Sequence, residues 1–140
     1  MTRTLAALAA MVWVTASAAS AQSYPDDTGA GTQRGLAQMG NSGQVGTVTL
    51  FRHDRATRIV VELHGTLPGR VQTVAVVRGP ACGQLSPRAP YRLAPLRGGV
   101  STTPALGAPE DTLLSGNYNL VVFSSNAAGA RVTACGHLYA

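Results

Sequence analysis

The chain has 140 residues, of which 45% are apolar and only 12% charged, enough to build one domain with its own core and too apolar for a disordered polar chain. All eleven basic residues are arginine, against six acids, for a formal net charge of +5. The arginines are scattered rather than gathered on a basic helix, and aromatics are sparse, which argues against a nucleic-acid partner. The bias toward arginine, alanine and glycine fits a GC-rich bacterial genome.

Residues 1–21 read as a signal peptide. Arg3 supplies a positive start, Leu5 to Val14 an uncharged apolar run, and Ala19-Ser20-Ala21 a small-residue cleavage site before Gln22. Ten apolar residues are too few for the roughly 20 that span a bilayer, and no later segment is long and apolar enough. The expected location is the periplasm or the extracellular space. Loss of Arg3 leaves ten arginines against six acids, a charge of +4 suited at most to weak attraction to an anionic envelope surface. In an oxidising compartment, the only two cysteines, Cys82 and Cys135, are most simply read as one disulfide.

Residues 22–44 are polar and glycine-rich and read as a flexible arm, with a short strand near Leu36 to Met39 as its one ordered contribution. The folded domain is expected over 45–140. Residues 46–53 (GTVTLFRH) alternate, with Val48 and Leu50 on one face. A polar turn at Asp54 leads to 58–64 (RIVVELH), whose buried face is Ile59, Val61 and Leu63, so the two runs form a hairpin. The turn at 65–69 (GTLPG) precedes a third strand, 70–78 (RVQTVAVVR). Residues 79–99 hold four prolines and no sustained alternation, and read as a long loop anchored at Cys82. An edge strand is expected at 100–106, since Pro104 is unsuited to a central one. One helical turn at 109–114 starts with Glu110 and Asp111. Strands at 118–123 (YNLVVF) and 131–138 (RVTACGHL) finish the chain. Short strands at turn-bounded intervals, with no amphipathic helix, point to an all-β sandwich.

Three stretches resemble a known family. Residues 132–138 (VTACGHL) look like the closing strand of Cu/Zn superoxide dismutases, and 113–125 (LLSGNYNLVVFSS) like the strand before it. Residues 58–69 and 71–82 (RIVVELHGTLPG, VQTVAVVRGPAC) resemble that family's hairpin and first metal strand. The same order occurs in chordin-type (CHRD) domains and small secreted superoxide-dismutase-like proteins. The resemblance, over roughly 43–138, implies an immunoglobulin-like Greek-key β-sandwich closed by the Cys82–Cys135 bond. It also implies where metal ligands should stand, and those positions hold Ala75, Val77 and Phe123. The stretch between Cys82 and Val100, where the family's zinc loop falls, has no histidine and no acid. Arg131 stands four residues before Cys135, where the family keeps an arginine three before, so in a strand it points to the other face.

No metal site or cofactor is therefore expected. The only histidines are His53, His64 and His137, and the first two fall at opposite ends of the hairpin. Hydrolase chemistry has no support: no serine stands in a nucleophile elbow, and Glu110-Asp111 reads as a helix start. Arg88, Arg92 and Arg97, with Tyr91, are the candidate anion-binding residues of the long loop, the alternative being solvated arginines. The expected function is a secreted or periplasmic module that has lost its metal ligands and binds an envelope protein or anionic surface without catalysis. The alternatives are a divergent Cu/Zn superoxide dismutase or weak copper binder, and a structural or assembly subunit.

Overall fold

A computed structural model describes residues 31–86, 88 and 90–139. The expected signal peptide and the first part of the arm lie outside the described residues. The class is all-β with one disulfide: among the described residues there are ten strands and a single short helix. They are β1 (Thr32–Gln38), β2 (Val45–His53), β3 (Ala56–His64), β4 (Val71–Gln72), β5 (Val74–Arg78), β6 (Tyr91–Arg92), β7 (Leu96–Arg97), β8 (Val100–Leu106), α1 (Glu110–Ser115), β9 (Tyr118–Phe123) and β10 (Val132–His137). All pairings are antiparallel, in the order β4-β7-β8-β3-β2-β1-β10-β9-β5-β6.

The alternation read in β2 and β3 is the alternation that is buried. Val48, Leu50, Ile59 and Val61 are fully shielded, and Leu63 nearly so. They share one apolar cluster with Val74, Val76, Leu120 and Val122 from β5 and β9 at the far end of the strand order. The sheet therefore curls, and its two halves face each other across one core.

The chain passes between halves at four places, through β1, at Thr73, between β6 and β7, and through α1 between β8 and β9, and the first two run through strands that the sequence left unresolved. The first is β1, which pairs with β2 over Thr32 to Leu36 and with β10 at Ala37 and Gln38. Among the described residues, regular structure is thus already present at Thr32, ahead of Val45. The strand near Leu36 exists but starts earlier, and it holds a central place. Its sequence (TQRGLAQ) hides it, because Leu36 is its only buried residue and its stabilisation comes mainly from backbone pairing. The second passage is at Thr73. The expected strand 70–78 is broken there into β4, paired with β7 in one half, and β5, paired with β9 in the other. Alternation does not register a change of sheet partner.

At that break the backbone of Thr73 accepts from Phe123 N–H at 2.9 Å. Gln72 is fully buried beside it, and its amide donates to Gln44 Oε1 at 2.9 Å and to the Phe123 carbonyl at 2.8 Å. Gln44 returns the bond to Gln72 Oε1 at 3.3 Å. Substituting Gln72→Leu keeps the volume and orphans the Gln44 amide and the Phe123 carbonyl. It should cost about 1–3 kcal/mol, read as a lower denaturant midpoint with an unchanged slope. An unaltered midpoint would show that the amide pair contributes nothing net.

The long loop is also more regular than expected. It contains β6 and β7, two residues each, too short to leave a periodic signal. Proline in β8 is explained by its surroundings. β7 pairs with β8 only at Arg97↔Val100, and the β3–β8 register shifts between Thr57 and Ile59, so Pro104 sits opposite an irregular stretch with no strand on its outer side. Helix α1 forms as expected, and its acids tie it to the sheet: Glu110 accepts from the Thr32 hydroxyl at 2.7 Å and pairs with Arg52 at 3.5 Å, while Asp111 meets Arg52 at 2.8 Å.

Candidate functional site

β5 and β9 are shielded on both faces, which is why they read as nearly continuous apolar runs (VAVV and LVV). One set of alternate residues enters the main core. The other set, Ala75, Val77 and Val121 with Cys135, forms a second cluster on the outer face, joined by Met39, Cys82, Leu85, Phe123 and Val132. Ala75, Val77 and Phe123, where the resemblance led one to look for metal ligands, are thus neighbours on one face, packed as an apolar layer.

The disulfide loop covers that layer. Cys82 and Cys135 are bonded, with Cα atoms 6.0 Å apart across 53 positions of sequence. Around the bond the chain is held by its own polar groups. The Asn119 amide donates to the Gly79 carbonyl at 2.8 Å, Gly79 N–H to Asn117 O at 2.9 Å, Ser86 N–H to Arg78 O at 2.8 Å, and the Tyr139 hydroxyl to Pro80 O at 2.7 Å. Asn119 is fully buried, and its Oδ1 contacts His137 Nδ1. An amide oxygen only accepts, so Nδ1 carries the proton. The sequence marked Asn119 as a strand residue but not as the post supporting this loop.

Where the disulfide loop ends, the layer opens. A hollow of about 340 Å³ is lined by Thr73, Ala75, Arg92, Phe123 and the loop residues 125–130. A second hollow of about 340 Å³ adjoins it, sharing Thr73, Arg92 and Asn126 and adding Val71, Leu93, Pro95 and Arg97. The β9–β10 loop forming the wall is a chain of small residues. It is shaped by Ala127 N–H donating to Ser125 Oγ at 3.2 Å and by Gly129 in the left-handed region at φ 77°.

Of the anion-binding candidates, Arg92 lines both hollows and Arg97 the second, while Arg88 lines neither. Tyr91 turns toward the core and packs on Tyr118 with centroids 6.0 Å apart. The wall at 125–130 joins the two expected strands 118–123 and 131–138, and nothing local in its sequence says that it lies beside Arg92.

The histidines are dispersed. His53 pairs with Ala56 and His64 with Val45, at opposite ends of the hairpin, and His137 lies on β10, separated from β3 by two strands. Among the described residues no three of His, Cys, Asp and Glu gather as a metal set, and no helix is long and apolar enough to cross a membrane. Arg131 precedes β10, its N–H donating to Ser124 Oγ at 3.2 Å, and its side chain lines a separate polar hollow with Asn41 and Ser42. Comparisons of the chain with protein-family models, curated proteins and solved structures find no match.

Proposed function

We propose that this is a secreted or periplasmic module with a superoxide-dismutase-like Greek-key sandwich architecture, which binds a component of the envelope and performs no redox chemistry. One observation carries the reading: Ala75, Val77 and Phe123, the residues at the family's ligand positions, pack on one face as an apolar layer under the disulfide loop. A divalent cation needs several nitrogen, oxygen or sulfur donors converging on one point. Methyl groups and a phenyl ring supply none, and a charged ion beside them would lose its hydration without replacement. The same layer, with its loop and hollows, remains suited to contact.

The direct test loads the purified chain with copper and zinc, dialyses it, and measures bound metal and superoxide dismutation. The expected result is far less than one equivalent of either metal and no activity above that of free copper. Stoichiometric copper with dismutation would defeat the proposal and return the chain to the enzyme class.

A further inference from the structure

We infer that the joined hollows beside Arg92 bind a small amphipathic anion: a carboxylate or phosphate monoester carrying a compact apolar or aromatic group. This rests on reading the face as a binding surface, and it adds the chemistry of the ligand.

Charge is the first argument. Arg92 stands where the two hollows meet, and Arg97 lines the second. Among the described residues neither guanidinium has an ion pair or a hydrogen bond. The described acids are all elsewhere: Asp54 in the hairpin turn, Glu62 on β3, and Glu110 and Asp111 engaged with Arg52. None of them lines either hollow. A guanidinium fork with no internal carboxylate is matched by the planar or tetrahedral oxygens of a bound anion.

The neutral donors agree. Asn126 and Thr73 line both hollows, and neither side chain is engaged in a hydrogen bond among the described residues. Shape and polarity complete the specification. Ala75 and Phe123 line one hollow, and Leu93 and Pro95 line the other. A bare inorganic anion would leave this apolar surface in water, whereas a ligand with a short apolar group covers it. A volume of about 340 Å³ for each hollow suits a compact molecule rather than a polymer segment.

The test is a titration of the isotopically labelled full chain followed by amide chemical shifts. Phenyl phosphate and benzoate are the two anionic probes. Inorganic phosphate and benzyl alcohol separate the charged from the apolar contribution. The expected result is saturable movement of the amides of Thr73, Ala75, Phe123 and the 125–130 wall with at least one anionic probe, and weaker binding of both controls. Arg92→Gln should weaken the preferred probe roughly tenfold or more, and Arg88→Gln should leave it unchanged. Arg92 is exposed, so the spectrum away from the hollows reports that the variant is folded. Absence of shifts with both anionic probes at millimolar concentration, equal binding of inorganic phosphate, or indifference to Arg92→Gln would each overturn the inference. Dismutation is assayed separately, so a chain that binds the probe and also dismutates superoxide would remove the preceding proposal alone.

Discussion

Replacing Cys82 and Cys135 together by alanine is expected to lower stability by about 2–5 kcal/mol while leaving the folded structure in place. The bond joins residues 53 positions apart, and in the chain-entropy account a loop of that size is worth roughly 4 kcal/mol through restriction of the unfolded chain. The native loop has other anchors: Asn119 on Gly79, Ser86 on Arg78 and Tyr139 on Pro80, with bonds of 2.7–2.8 Å. Loss of the covalent link therefore acts mainly on the unfolded ensemble. A local part adds to it, because Cys135 is only 2% exposed and its sulfur fills space beside Ala75, Val77 and Val121. In a thermal melt followed by far-UV circular dichroism, the midpoint should fall by on the order of 10–20 °C with an unchanged native spectrum. A reducing agent should move the unsubstituted protein the same way. A midpoint that stays put in both experiments would mean that the bond adds nothing to the stability of this domain.

Legibility in the sequence tracked how each strand is buried. β2 and β3 cover the core with one face, so their alternation is plain and their buried residues could be named individually. β5 and β9 cover two clusters at once, so they read as strands but not as the meeting place of two apolar layers. β1 was mostly hidden because its role is to be paired on both sides, and pairing of backbone leaves no mark on side chains beyond Leu36. The break at Thr73 and the two-residue strands β6 and β7 are consequences of where the chain must go after the sheet curls. The same division applies to the site. The apolar identity of Ala75, Val77 and Phe123 was readable. The hollow was not, because it exists only when the 125–130 loop is brought over β5 next to Arg92, and those segments are far apart in the chain.

Gly136→Val is expected to destabilise the protein by about 3 kcal/mol or more, at the upper end of overpacking costs. Gly136 ends the Ala134-Cys135-Gly136 closing motif of β10. Its absence of a side chain has a local cause. A Cβ at this position would collide with the carbonyl oxygen of Gly35 and lie 2.9 Å from Leu36 Cδ2. Those atoms belong to β1 at the point where it leaves β2 and takes up β10. Leu36 is nearly buried in the main core, and its neighbour Ala37 pairs with Cys135. Backbone cannot move aside as a flexible side chain can, so a larger residue must push β1 and β10 apart. That would weaken the Ala37↔Cys135 pairing and withdraw Leu36 from the core. Gly136→Ala should show the same effect at smaller size, and Gly69→Ala is a poor control because its positive φ adds strain of its own. Gly83→Ala is the suitable one, since nothing lies within 4 Å of its Cβ position and its φ is not positive. Denaturant midpoints in the order Gly83→Ala, Gly136→Ala, Gly136→Val, from highest to lowest, would support the crossing of β1 over β10 as the constraint. A Gly136→Val protein as stable as the unsubstituted chain would mean that the sheet does not close there, and that the glycine of the closing motif answers to something other than the approach of β1.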